Sequence, residues 1–385
     1  MSEVAGNPER AARAPLGEIV LAFLRLGFVA FGGAAAHIAL MEEEFVRRRA
    51  WLSREDFLDR LSAVNLLPGP SSTEMAIYLA ELRGGFAGLL CGGVAWILPS
   101  ALLSLAMAWS YVRWGGLPQI AGVLWGVKPV VLVLIAHAVW SLSKTALKSR
   151  ELMFLAAIVL GLAATGAPSL ALLIGTGLAW VLAERLGRKP QAGAVVAGGM
   201  AAGATGAVAV TLGGTFLYFL KVGALLFGSG YVLLAVLRED LVLKLHWISE
   251  KQLLDAIAVS QATPGPFFTV ATFLGFVLSG WKGAALATLG MFVPAFVYVA
   301  VTARVLPRLR KSPMAGAFLD GVSAAAVALM AYVGYGFARD AVATPLALGI
   351  AAIAGLLLFR FRVNSAWLIA GGALCGLLVK LLPAR

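Results

Sequence analysis

The chain has 385 residues, 61% of them hydrophobic and only 13% charged, with a mean hydropathy of +0.90 and a formal net charge of +12. A soluble domain carries about 25% charged residues, so the composition excludes one and specifies a polytopic membrane protein. The positive charge falls in short segments between apolar runs, at residues 47–49, 144–150, 185–189 and 304–311; such a distribution sets membrane topology and argues against a nucleic-acid partner.

In chain order, residues 1–15 form a polar tail. No signal peptide is expected, because the tail is polar and the first apolar run is long enough to span. That run, 16–40, contains Arg25, a Phe-Gly-Gly at 31–33 and His37. Residues 42–60 mix both charge signs with aromatic residues and read as an amphipathic helix at the interface, with Ser53 and Asp56 capping part of it. Next comes Asn-Leu-Leu-Pro-Gly-Pro-Ser-Ser-Thr at 65–73. Two prolines remove two backbone donors and disfavour helix before each, while a proline at the first position of a new helix is well tolerated. The phrase is either a break with a fresh helix N-terminus in the membrane or a plain loop.

Further apolar runs follow, giving expected spans at 64–82, 85–112, 119–142, 151–166 and 168–184. Residues 185–191 are a basic linker, and 192–211, almost wholly Ala, Gly and Val, is long enough for one more span of about 20 residues.

From residue 212 the chain repeats itself. Phe-Leu-Arg-Leu-Gly-x-x-x-Phe-Gly-Gly at 23–33 returns as Phe-Leu-Lys-Val-Gly-x-x-x-Phe-Gly-Ser at 219–229, an offset of 196 residues. The same offset relates Trp51 to Trp247, Ser53 to Ser249, Asp59 to Asp255, and Pro68-Gly69-Pro70 to Pro264-Gly265-Pro266. After a one-residue deletion it becomes 195, relating Pro99 to Pro294 and Pro118 to Pro313. A register held through so many Gly, Pro and Trp positions marks internal duplication. The expected organisation is therefore a tail (1–15), a first repeat (16–184), a linker with an extra span (185–211) and a second repeat (212–385). The second repeat supplies spans at 213–237, 259–279, 283–303, 315–338, 343–359 and 364–381. The fold class is all-α, with two inverted-topology repeats of about six helical segments, broken or re-entrant at Pro-Gly-Pro. Thirteen spans result, or eleven if those segments are re-entrant. The odd number between the repeats inverts the second. With the N-terminus inside, the basic loops fall on the cytoplasmic side except residues 47–49.

Inverted repeats with broken helices are the pattern of secondary transporters, whose sites lie near the midplane. The helix starts at Pro70 and Pro266 present unpaired N–H groups and a positive dipole end, which suit an anion. Gly69, Ser71, Ser72 and Thr73 contribute in the first half; Gly265, Phe267, Phe268 and Thr269 make the second half different, so an asymmetric site is expected. Arg25 and Lys221 match under the offset and lie inside apolar runs, where a cation either lines a cavity or snorkels to an interface; the anion-ligand role is favoured. Lys128 adds positive potential, with Asp320 as its expected countercharge. Asn65 and Gln261 are expected to bond freed backbone. Glu74, Glu81 and His37 are candidate proton carriers. Gly32, Gly33 and Gly228 serve a helix break or, preferably, close packing.

Cys91 and Cys375 lack metal-like spacing and read as small buried hydrophobes. With no metal cluster, P-loop or nucleotide-binding phrase visible, no cofactor is expected.

At these motifs the sequence resembles the chromate ion transporter family in its long two-domain form. The Phe-x-[Arg/Lys]-x-Gly-x-x-x-Phe-Gly-[Gly/Ser] segment, Trp-[Leu/Ile]-Ser and Pro-Gly-Pro each occur in both halves, and the resemblance covers nearly the whole chain. It implies efflux of chromate from the cytoplasm with chromate resistance, sulfate being a structural analogue. Specificity for a tetrahedral dianion comes from the resemblance alone; other oxyanions, or a membrane-embedded enzyme, remain the competing readings. The expected setting is the cytoplasmic membrane of a bacterium or archaeon, with a homodimer left open.

Overall fold

The computed structural model describes residues 14–186, 210–227, 230, 232–302 and 313–381. The expected extra span, most of the basic linker and tail, Gly228 and the basic segment 304–311 lie outside the described residues.

The described residues form fourteen α-helices and no strand, an all-α polytopic membrane protein. The first half runs α1 (Leu16–Val29), α2 (Gly33–Met41, extended by a π-helical turn Glu42–Arg48), α3 (Arg54–Val64), α4 (Ser71–Trp114), α5 (Pro118–Ala146), α6 (Arg150–Ala164) and α7 (Ser169–Leu186). The second runs α8 (Leu212–Leu225), α9 (Val232–Leu237, extended by a π-helical turn Arg238–Lys244), α10 (Glu250–Ala262), α11 (Val270–Thr302, after a 3-10 turn Phe267–Thr269), α12 (Pro313–Ala341), α13 (Pro345–Phe361) and α14 (Ser365–Leu381). The two π-helical turns begin 196 residues apart, as do the capped starts of α3 and α10.

The first expected span, 16–40, is not continuous. α1 has 14 residues, about 21 Å at 1.5 Å per residue, against a hydrocarbon core of about 30 Å. It ends at Ala30, and Gly32 and Gly33, at φ +104° and +81°, turn the chain back. The return is visible in its contacts: Phe23 lies on Phe45 with ring centroids 4.8 Å apart, and Arg49 pairs with Glu18 at 2.7 Å. These glycines therefore make a second break; a Cβ added at Gly33 would meet nothing within 4 Å, so close packing is not its role.

The expected interfacial helix at 42–60 is divided. Its first part is the returning π-helical turn; its second opens α3, where the Ser53 hydroxyl accepts from the Asp56 N–H at 3.0 Å. Trp51 is buried against Phe45 rather than spread on the interface. α3 and the first leg of α4 then form another hairpin around Pro68-Gly69-Pro70, joined by a 2.6 Å bond from Arg60 to the Tyr78 hydroxyl.

α4 reverses direction at Gly85 (φ +59°, ψ −151°). A Cβ on Gly88 would lie 2.4 Å from the Ala80 carbonyl, one on Gly92 2.4 Å from the Ala80 methyl, and one on Gly93 2.9 Å from Ile77. Only antiparallel legs permit these contacts. α11 does the same at Gly280 (φ +63°, ψ −150°), with Thr272 and Thr288 bonded across the legs at 2.7 Å. Each half thus sends two hairpins inward that return to their own side, leaving at most four helices to cross, fewer than the six expected. The same reversal brings residues 47–49 to the side that α5 reaches with residues 144–150, so they are no exception to the basic distribution.

Equivalent helices run in opposite directions. α5 and α12 approach through Ile135 with Gly334 and through Lys148 with Asp320 at 2.7 Å, contacts in antiparallel register. The halves also exchange their last helices. Gly126 on α5 meets Gly372 and Gly376 on α14, and Gly321 on α12 meets Thr176, Gly177 and Trp180 on α7. Cys91 and Cys375 are exposed on outward helix faces and not buried as expected, for the protein's outer surface is itself apolar.

A Cβ at Gly126 would stand 2.1 Å from the Gly372 carbonyl oxygen, whereas one at Gly161 on α6 would meet nothing. Gly126→Ala is expected to cost about 1–3 kcal/mol from overpacking and to lower the thermal midpoint of purified protein, with Gly161→Ala leaving it unchanged or raised.

Candidate functional site

The four hairpin tips meet inside the molecule. Gly69, at φ +129°, donates its N–H to the carbonyl of Leu226, which caps α8, at 2.7 Å. Gly265, at φ +97°, donates its N–H to the carbonyl of Ala30, which caps α1, at 2.7 Å. The bonds are equivalent under the 196-residue offset: each Pro-Gly-Pro loop closes the break in the first helix of the opposite half. Glycine is required for two reasons, the positive φ and the tight fit. A Cβ on Gly265 would lie 2.7 Å from the Ser100 Cβ, and one on Gly69 would lie 2.5 Å from the Glu74 Oε1.

His37 on α2 bonds Ser72 at the start of α4, and a Cβ on Gly230, before α9, would lie 3.2 Å from Phe268 and 3.3 Å from Phe267, which open α11. The N–H groups of Ser71 and Ser72 find no acceptor among the described residues. Around them the lining differs sharply between the halves. His37 Nε2 donates to the Ala30 carbonyl at 3.1 Å, which leaves Nδ1 to accept from the Ser72 hydroxyl at 3.3 Å. Trp96 stands edge-on to His37 and donates from Nε1 to Thr73 Oγ1 at 3.4 Å. Glu74 is fully buried, and neither carboxyl oxygen has a hydrogen-bond partner among the described residues. The equivalent positions in the second half are Leu233, Phe268, Thr269, Val270 and Met291. Of that group only Thr269 is polar, and it bonds Ser100 at 2.8 Å and the Pro266 carbonyl at 2.9 Å. Pro70, Pro266 and Phe268 are buried, with Ser71 and Phe267 half-buried beside them.

Other expected site residues stand elsewhere. Arg25 is exposed on the outer face of α1 and makes no hydrogen bond or ion pair among the described residues. Lys221 pairs with Asp240 at 3.2 Å and covers the Tyr218 ring. Glu81 is half-buried far along the first leg of α4 from the tip. Asn65 is exposed at the end of α3, and its side chain makes no hydrogen bond among the described residues. The Gln261 amide nitrogen is buried without a partner, an unused donor beside the second Pro-Gly-Pro. An open cleft lined by Phe31, Ala36, Leu40, Asn364 and Trp367 leads to the first break.

Lys128 does not pair with Asp320, which binds Lys148 instead. Its partner is Asp255 of α10, at 2.9 Å, a fully buried carboxylate whose other oxygen accepts from the Tyr111 hydroxyl at 3.1 Å. No spacing in the sequence announces this cluster, since it joins α4 and α5 of one half to α10 of the other. Its repeat mates include Ser323 and Asp59, so the offset does not reveal it either. Removing one partner leaves a buried charge alone, at a cost of about 3–5 kcal/mol. Lys128→Met is expected to lower the detergent thermal midpoint markedly, with the double variant Lys128→Met/Asp255→Leu recovering most of the loss.

The chain matches the family described as chromate transporter over residues 17–182 and again over 213–377. It is 32% identical over 384 residues to a chromate transport protein of Cupriavidus metallidurans, covering 97% of this chain and 95% of that one. A probable chromate transport protein of Synechococcus elongatus is 31% identical, with 80% and 81% covered. A chromate transport protein of Pseudomonas aeruginosa is 33% identical, with 80% and 77% covered. No solved structure matches the chain.

Proposed function

The chain belongs to the chromate transporter family, and on that premise we propose that it is a secondary active transporter exporting chromate across the cytoplasmic membrane, with chromate resistance as the consequence. The carrying observation is that the two Pro-Gly-Pro helix starts meet the broken helix ends of the opposite half at the reciprocal Gly69–Leu226 and Gly265–Ala30 contacts. Helix N-termini deliver partial positive charge and oriented N–H donors to an anion without requiring a buried cation. Transporters built of inverted repeats bind substrate where such broken helices meet. The free N–H groups of Ser71 and Ser72, the Ser71 hydroxyl and the unused Gln261 amide donate to the oxyanion, while Phe267 and Phe268 form the apolar wall opposite. The first half therefore holds more of the ligand's oxygens than the second.

Two halves running in opposite directions suit alternating access, since one pair of hairpins is rooted on each side. The side carrying residues 47–49, 144–150 and Arg185 faces the cytoplasm under the positive-inside rule, which puts the N-terminus inside. Sulfate, with the same tetrahedral dianionic shape, competes at this site.

The test is uptake of radiolabelled chromate by energised inside-out vesicles. Wild-type protein is expected to concentrate chromate, and excess sulfate to reduce the rate. Replacing Ser71 and Gln261 with Ala and Leu removes two donors worth about 0.5–1.5 kcal/mol each, so KM should rise roughly tenfold. Arg25→Ala, on the outer face, should leave KM unchanged. Absence of chromate accumulation by the wild type would sink the reading.

A further inference from the structure

The Glu74 carboxyl is the group least at home in its surroundings. It is completely buried, and neither oxygen has a donor among the described residues. An ionised carboxylate in that situation carries an uncompensated desolvation cost, and ionisable groups kept inside a membrane protein mark ion or proton pathways. The neighbouring titratable groups do not relieve it. His37 on α2 is committed to Ser72 and the Ala30 carbonyl. Tyr78, one turn along the same helix, accepts from Arg60. Tyr298 on α11, within electrostatic range of Glu74, donates its hydroxyl to the Ala224 carbonyl at 2.8 Å. Lys221 on α8 is held by Asp240. From α8 the Gly223 carbonyl also comes near, 3.7 Å from where a Gly69 Cβ would be.

Position makes the isolation consequential. The carboxyl rests against Gly69, in the space a side chain there would fill, and the Gly69 N–H makes the bond that joins this tip to the opposite half. A charge on Glu74 would therefore stand directly beside the inter-half contact. The equivalent residue, Val270, has no such group, so the arrangement belongs to one half alone.

We propose that Glu74 is a proton-binding site that couples oxyanion transport to proton movement, neutral while the Gly69–Leu226 contact is closed over it and releasing its proton to water when that contact opens. The proton leaves as hydronium and returns from water on the other side; no other bond is made or broken. Protonation thus permits the closed arrangement, and deprotonation requires an open one. The inference rests on the transport reading above.

The experiment compares wild-type and Glu74→Gln protein in proteoliposomes with radiolabelled chromate. Glu74→Gln keeps the neutral shape, so chromate-for-chromate exchange should persist within about twofold. Net accumulation driven by an imposed pH gradient should fall at least tenfold. A second readout uses a pH-indicator dye in weakly buffered detergent: chromate addition should change the proton content of the wild type and leave that of Glu74→Gln unchanged. An intact pH-gradient response in Glu74→Gln, or an equal proton signal in both proteins, overturns the proposal. A Glu74→Gln protein that loses exchange and binding together also overturns it, because the residue is then a substrate or packing group. Failure of the transport reading is distinct, since wild-type protein would then move no chromate in either mode.

Discussion

The structure is organised around two backbone hydrogen bonds that cross between the halves, Gly69 to Leu226 and Gly265 to Ala30. A helix that stops in the membrane interior exposes its last carbonyls where no water reaches them, and each unsatisfied group there costs several kcal/mol. α1 stops at Ala30 and α8 at Leu226, and in each case one carbonyl is met by a glycine N–H from the other half's Pro-Gly-Pro loop. The first half adds a second donor to its own break, His37 Nε2 on the Ala30 carbonyl, but the backbone donor comes from the opposite half in both cases. The break and its repair are distributed across the duplication, which obliges the halves to interlock tip to tip.

The scaffold around those bonds is nearly symmetric in backbone and unsymmetric in chemistry. Gly27 and Gly223 both sit where a Cβ would strike a carbonyl of their own half's hairpin, at Trp96 and Met291. Gly85 and Gly280 reverse α4 and α11 with nearly identical dihedral angles. Yet His37, Ser72, Glu74 and Trp96 face apolar counterparts at Leu233, Phe268, Val270 and Met291. A duplicated backbone supplies the geometry for opening on either side, and divergence at a few lining positions confines polar chemistry to one tip. The Lys128–Asp255–Tyr111 cluster is a second departure from symmetry, tying the halves together away from the tips.

Much of the site was legible in residue order because prolines and glycines act locally. Pro-Gly-Pro breaks a helix wherever it lies, and its repetition at a fixed offset identified the two loops before any contact was known. Arg25 shows where such reasoning stops. Its repeat match and apolar setting suggested an interior ligand, but which face of α1 points inward is decided by what packs there. Ile19, Ala22, Phe23 and Leu26 take that face, leaving Arg25 outside. Lys128 shows the same limit, since its true partner comes from a helix more than a hundred residues away.

What the sequence by itself determined, then, is the membrane class, the duplication, and the positions of the two Pro-Gly-Pro breaks, all consequences of composition or of local backbone chemistry. Only the tertiary structure decided that the broken segments are hairpins returning to their own side, that each break is met by the opposite half, and that Glu74 is buried with no hydrogen-bond partner among the described residues. Those outcomes turn on the direction of the chain after Gly32, Gly85 and Gly280. A glycine at positive φ permits a reversal, but the helices it brings together make the reversal worth having.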